Sequence, residues 1–165
     1  MVWKLRIAIV IALVLGGGLG IPNQALAADR VPFKGSDVGH FVVPDSCAGG
    51  ALHVVINGSG RATHLGRYSY AANECFDPAT GAFAGSPTFT ATNGDTMFGH
   101  YSGQVFPTDD PNVITYEEEL AITGGTGRFA GADEEFHVSG IANLATGEYS
   151  QTLSGTVSRP GSVQG

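Results

Sequence analysis

The chain has 165 residues and a formal net charge of −7, with 8 Lys and Arg against 15 Asp and Glu. An acidic chain with scattered basic residues lacks the positive surface that binds nucleic acid or anionic lipid. We therefore expect no nucleic acid partner and no membrane association for the mature protein. The length suits one domain once a leader is removed.

The first 27 residues have the pattern of a secretory signal peptide. Lys4 and Arg6 form a short basic start, an apolar run covers 7–19, and Ala25–Ala27 is a small-x-small cleavage signal. The apolar run is too short and too rich in glycine for a membrane span of ~20 residues. We predict that residues 1–27 are removed and that the protein is secreted or periplasmic. The mature net charge is then −9, because two cations leave.

The chain contains two cysteines, Cys47 and Cys75. In an exported protein, an even pair of cysteines predicts a disulfide. The alternative is two buried free thiols. Neither cysteine lies beside a basic cluster that would activate a thiolate.

The mature chain shows no sustained helical periodicity, and short alternating runs separated by turn residues predict an all-β fold. In chain order, the predicted strands are 38–43, 51–56, 61–70, 82–92, 95–104, 113–123, 134–142 and 149–157. Eight antiparallel strands close into a barrel whose interior is filled by side chains or holds one small ligand. We predict one such domain over residues 28–158 and a flexible tail over 159–165.

The turn residues predict the register of two hairpins. A turn at Asn57–Gly60 places His53 opposite His64, and two opposed imidazoles are a partial metal site. The sequence names no third ligand, so we predict no metal site. A surface or hydrogen-bonded histidine pair is the favoured interpretation.

The second hairpin is predicted from Asn93-Gly94, which suits a two-residue type I′ turn. This register places Phe89 opposite Phe98 and puts His100 on the same face.

Glu118 shares a predicted strand face with Tyr116, Leu120 and Ile122. A carboxylate on an apolar face costs free energy unless it is paired, hydrogen-bonded or protonated. Desolvation would raise its pKa and suit it to act as a catalytic acid or base. The alternatives are a strand end in solvent or an ion pair with an arginine. The arginines considered as partners are Arg61, Arg67 and Arg128. The predicted ligand pocket is lined by Phe98, His100, Tyr116, Glu118 and Gln151.

A glycine-rich corner, ITGGTGRFAGA over residues 122–132, joins two predicted strands. Its glycines, which tolerate positive φ and close backbone approach, are Gly124, Gly125, Gly127 and Gly131. We expect Phe129 to be held in apolar surroundings and Arg128 to donate hydrogen bonds to carbonyls or a carboxylate. The loose dinucleotide fingerprint in this segment is rejected, because a strand-like run follows where a helix is required.

The residues GGTGRFAGA resemble the glycine-rich segment of the allene oxide cyclase and dirigent-protein barrel superfamily, and the predicted strand layout is similar. The resemblance implies an eight-stranded antiparallel barrel, often trimeric, with an apolar pocket and no cofactor. The motif does not include the family's catalytic residues, so the resemblance carries over the fold and not the active site.

These observations predict an exported β-barrel that binds a small apolar or aromatic molecule in its lumen without a cofactor. The resemblance implies, for any activity, a cofactor-free cyclase or isomerase or a dirigent-like guide of stereochemistry. The alternative is a structural or interaction module of the cell envelope without catalysis. A metal-dependent enzyme built on His53 and His64 is the third and weakest hypothesis.

Overall fold

A computed structural model describes residues 30–158 of the chain. The predicted signal peptide, its cleavage site and the tail lie outside the described residues. Among the residues from 30 to 158, no helix has the length and apolar character needed to cross a membrane.

The described chain forms a closed barrel of eight antiparallel strands, which confirms the predicted all-β barrel. The strands are β1 (Arg30–Ser46), β2 (Leu52–Ala62), β3 (Gly66–Phe76), β4 (Ala82–Ala91), β5 (Thr96–Pro107), β6 (Val113–Gly125), β7 (Glu134–Asn143) and β8 (Glu148–Ser158). Each strand pairs with its neighbour in the chain, and β8 pairs with β1 to close the wall. The connections are short, and two of them contain a single 3₁₀ turn, Ala48–Gly50 and Gly127–Phe129.

The predicted turn at Asn57–Gly60 was wrong, because β2 continues through it to Ala62. Gly58 and Gly60 point into the barrel, where a Cβ would collide with the Tyr149 hydroxyl and the Tyr68 ring. Both glycines therefore make room for inward aromatic rings and do not reverse the chain.

The chain reverses instead around His64, which has a positive φ of 65°. His53 consequently lies opposite Cys75 on β3, and the predicted pairing of His53 with His64 was wrong. The two imidazoles do not face each other.

The second hairpin differs from its predicted register by one residue. The turn occupies the four residues from 92 to 95, and the Gly94 N–H donates to the Ala91 carbonyl at 2.9 Å. Phe89 therefore pairs with Met97 and not with Phe98. Since side chains alternate along a strand, a shift of one residue moves Phe98 to the outer face of the wall.

The glycine-rich corner seals one end of the barrel, which we call the closed end. Phe129 is 5% exposed and packs in the same buried cluster as Leu65, which comes from the β2–β3 turn. The Arg128 Nη2 donates to the Leu65 carbonyl at 3.1 Å, and its Nε lies 3.4 Å from the Asp95 carboxylate. Gly127 has a φ of 57°, which glycine adopts readily. These contacts confirm the expected environments of Phe129 and Arg128.

The predicted disulfide between Cys47 and Cys75 is present, with 6.0 Å between the two Cα atoms. It ties the β1–β2 connection to the last part of β3. This is the opposite end of the barrel from the glycine-rich corner, and we call it the open end.

We expect loss of the disulfide to lower the free energy of unfolding by ~3–4 kcal/mol, since the bond closes a loop of 28 residues in the unfolded chain. The measurement is urea unfolding of the Cys47→Ser/Cys75→Ser variant beside the oxidised parent. A reducing agent should weaken the parent and leave the variant unchanged. Equal stability of oxidised parent and variant would contradict this expectation.

Candidate functional site

A cavity of about 270 Å³ occupies the lumen towards the open end. All eight strands contribute to its wall, and its lining is mostly apolar. The apolar lining residues include Phe41, Leu52, Val54, Ile56, Phe76, Phe83, Val105, Ile114 and Ala142. Val43 and Leu144, which are exposed, mark the mouth. The polar lining residues are Tyr70, Glu74, Tyr116, Glu118, Tyr149 and Gln151.

Glu118 is the central polar group of this cavity. Its position on β6 turns it inwards with Tyr116 and Leu120, as the sequence predicted, and it is 5% exposed. The carboxyl makes no hydrogen bond and no ion pair with any of the residues 30–158. Burial, followed by the nearby charges of Glu74 and Asp37, raises its pKa to about 8. At neutral pH Glu118 is therefore mostly a neutral acid with a proton to donate.

Glu74 is the second carboxyl in the cavity and lies on β3. It accepts a hydrogen bond from the Tyr101 hydroxyl at 3.0 Å. Burial raises its pKa to about 7, although the hydrogen bond from Tyr101 opposes the shift. The lumen thus holds two acids, Glu74 and Glu118, that titrate near neutral pH.

Asp37 is a third buried carboxyl near Glu118 and anchors a chain of hydrogen bonds across the lumen, whereas the buried Glu134 on β7 is ion-paired with Arg30. Its Oδ2 accepts from the Tyr68 hydroxyl at 2.8 Å and from the Gln151 Nε2 at 3.2 Å. The Gln151 Oε1 accepts in turn from the Tyr116 hydroxyl at 2.9 Å. Burial raises the pKa of Asp37, and the hydrogen bonds from Tyr68 and Gln151 oppose that shift. This network fixes Tyr116 and Gln151 in the cavity wall, where the sequence placed them.

The tyrosine hydroxyls of the lumen remain protonated at any ordinary pH. Burial raises the pKa of Tyr70 and Tyr116 well above the ordinary value of 10.0, and the neighbouring carboxyls act in the same direction. The rings fit because glycines oppose them: a Cβ at Gly140 would collide with the Tyr116 ring. The lumen therefore offers hydrogen-bond donors and aromatic faces, and it has no phenolate.

Two of the predicted pocket residues, Phe98 and His100, do not line the cavity. Phe98 is 43% exposed and His100 also faces outwards, while Met97 and Tyr101 on the same strand point inwards. The expectation failed because the β4–β5 register is shifted by one residue.

Of the three acids in and beside the cavity, sequence reasoning missed two, Asp37 and Glu74. The signal was present in each case. Asp37 has the same strand parity as Phe33 and Phe41, and Glu74 has the parity of Tyr70 and Phe76. A charged residue in register with inward aromatic residues is the pattern that identified Glu118, and it identifies these two as well.

The histidines do not form a metal site. His53 Nδ1 lies 2.6 Å from the Asp45 carboxylate and its Nε2 lies 3.2 Å from the Asn73 amide oxygen. His53 and His100 line a broad outer groove of about 1130 Å³ that is open to solvent. Within residues 30–158, no group of three or more His, Cys, Asp or Glu side chains is placed to hold a metal ion.

The fold and the site define a small closed β-barrel with an acidic, aromatic lumen that is sealed at one end and open at the other. Comparisons of the chain with family models, curated proteins and solved structures found no match. The function must therefore be argued from the geometry of the lumen.

Proposed function

We propose that the barrel binds one small, largely apolar or aromatic molecule in its lumen, with Glu118 as its main polar contact. The observation that carries this proposal is a buried carboxyl without a partner that faces a cavity of about 270 Å³. Leaving such a group unsatisfied costs ~1–3 kcal/mol, which a ligand's polar group would recover. Burying an apolar ligand body against the lining would add hydrophobic stabilisation.

Catalysis and export are further parts of the proposal. The resemblance of residues 124–132 to the allene oxide cyclase and dirigent-protein superfamily supports a cofactor-free cyclisation or isomerisation, or a dirigent-like guiding role, with Glu118 as proton donor. The disulfide supports a secreted or periplasmic location, because such bonds persist in oxidising compartments.

A second candidate function is a structural or interaction module of the cell envelope. The observation in its favour is a row of exposed apolar side chains across the outer wall, Val38, Ile141 and Phe106, which alternate with Ser150 and Thr115 on the strands between them. The superfamily resemblance supports a trimer through such a surface. Light scattering of the purified protein distinguishes a trimer from a monomer, and an unliganded trimer would favour this alternative.

The test of lumen binding is a thermal-shift screen with small apolar, phenolic and carbonyl compounds. We expect at least one class to raise the midpoint of unfolding, and Val105→Phe, which fills the cavity, to abolish the shift. Phe106→Leu, one residue along on the outer face, is the matched control and should retain it. Glu118→Gln should weaken binding roughly tenfold, because one charge-assisted or acid hydrogen bond is lost. No shift with any compound would contradict the proposal.

A further inference from the structure

The lumen contains an imbalance of charge that the hydrogen bonds do not resolve. Asp37, Glu74 and Glu118 all point into it from three different strands. No Lys, Arg or His among the residues from 30 to 158 lines the cavity. Three acids without a cation in a poorly solvated space repel one another, so at least one is kept neutral by binding a proton. A bound cation would remove that requirement.

The remaining wall of the cavity suits an organic cation. Tyr70, Tyr116, Tyr149 and Phe83 surround the region of Glu118, and the Phe83 and Tyr116 rings meet edge to face with centroids 6.1 Å apart. Aromatic faces attract ammonium groups, and the attraction grows when the cation is desolvated. A metal ion would need several oxygen ligands at short range, which this mostly apolar wall does not supply.

We propose that the ligand of the lumen is a small lipophilic amine, bound as its ammonium ion against the Glu118 and Glu74 carboxylates and the surrounding tyrosine rings. This inference rests on the proposed lumen-binding function and names the ligand class for it. An organic anion is disfavoured by the three carboxyls. A neutral carbonyl compound would accept a hydrogen bond from one protonated acid and leave the other acids as they are.

The size of the cavity limits the amine to about one ring and a short chain. Its 270 Å³ lies just below the ~300–1,000 Å³ of pockets that hold drug-sized ligands. The compound 2-phenylethylamine fits this description, and 2-phenylethanol has nearly the same shape without the charge. Acetophenone supplies a neutral carbonyl acceptor.

Ammonium binding and carbonyl binding have opposite dependences on pH. The titratable groups around Glu118 come from β1, β3, β5, β6 and β8. Tyr149 lines the same cavity, and the groups that interact with Glu118 electrostatically are Asp37, Glu74, Tyr70, Tyr101 and Tyr116. Of these groups, Glu74 and Glu118 titrate near neutral pH, whereas burial raises the pKa of Asp37 and holds the tyrosines protonated. An ammonium ion binds the ionised acid and releases its proton to water, so its affinity rises with pH. A carbonyl acceptor that takes its hydrogen bond from Glu118 needs the protonated acid, so its affinity falls over the same range, whereas one held by tyrosine hydroxyls alone binds independently of pH.

The experiment is isothermal titration of the purified protein with the three probes between about pH 6 and about pH 9, where an aliphatic amine stays largely protonated. We expect 2-phenylethylamine to bind roughly tenfold or more tightly at the upper pH than at the lower, because one proton is displaced. It should bind more tightly than 2-phenylethanol at the upper pH. Glu118→Gln should remove most of this preference, and the Glu74→Gln/Glu118→Gln double variant should remove the rest. Glu119→Gln, the adjacent residue on the outer face, is the matched control and should bind as the parent does.

The outcomes separate the inference from the proposed function. If 2-phenylethanol or acetophenone binds as well as the amine at every pH, lumen binding stands and the amine inference fails. If acetophenone binds more tightly as the pH falls and the amine does not bind, the acids serve a neutral acceptor and the inference again fails. If none of the three probes binds, the inference fails, and lumen binding fails with it if no compound of the thermal-shift screen raises the midpoint of unfolding.

Discussion

The free energy of unfolding is expected to fall by several kcal/mol as the pH rises from about 5 to about 8. Glu118 ionises near its ordinary pKa of 4.5 in the unfolded chain and at about 8 in the folded barrel. Between these values the unfolded chain has lost a proton that the folded chain keeps, so raising the pH favours unfolding by about 1.4 kcal/mol per unit. The stability that the protonated Glu118 contributes is fully present below the pKa of the unfolded chain. It is lost as the pH rises to the pKa of the folded barrel. Glu74, with its pKa raised to about 7, acts in the same direction.

Glu118→Gln isolates the contribution of this carboxyl. The variant should be more stable than the parent at about pH 8 and no more stable at about pH 5, because glutamine has no proton to lose. Urea unfolding at several pH values measures how the free energy of unfolding depends on pH in the parent and in the variant. Glu74 remains in the variant, and hydrogen bonds to Asp45 and Glu119 raise the pKa of His53 and His137 on the outer wall, so a smaller slope of the same sign should remain. Glu135→Gln, an exposed substitution, should keep the full slope. An unchanged slope in Glu118→Gln would mean that Glu118 is ionised at neutral pH.

The alternation of side chains along the strands was enough to predict much of the lumen. In β6 and β8, bulky apolar residues occupy most of the alternate positions on either side of Glu118 and Gln151, so the inward face that contains these two residues was unambiguous. The number of strands, eight, was predicted from the same alternation of side chains. Closure of the barrel added what a single strand cannot show, which is that Glu74 and Glu118 line one cavity and that Asp37 lies close enough to act on Glu118 electrostatically.

The hairpin registers were not predictable from local turn residues, for a physical reason. Glycine serves two purposes in this barrel, and the sequence does not distinguish them. At Gly94 it has a positive φ of 89° within a turn, whereas at Gly58 it lies in a strand and makes room for Tyr149. The partner that occupies this space comes from β8, about 90 residues further along the chain. Register in such a sheet is therefore set by the packing of inward rings as well as by the turns.

Truncation of the residue that plugs the closed end should be among the most destabilising single changes. We expect Phe129→Ala to lower the free energy of unfolding by ~3–5 kcal/mol, because a buried ring is lost and a cavity remains between the corner and Leu65. Phe98→Ala, which removes an exposed ring from the outer wall, should lower the free energy of unfolding far less. Urea unfolding at constant pH compares the two. Equal losses would contradict the role of Phe129 as a buried side chain that packs the closed end of the barrel.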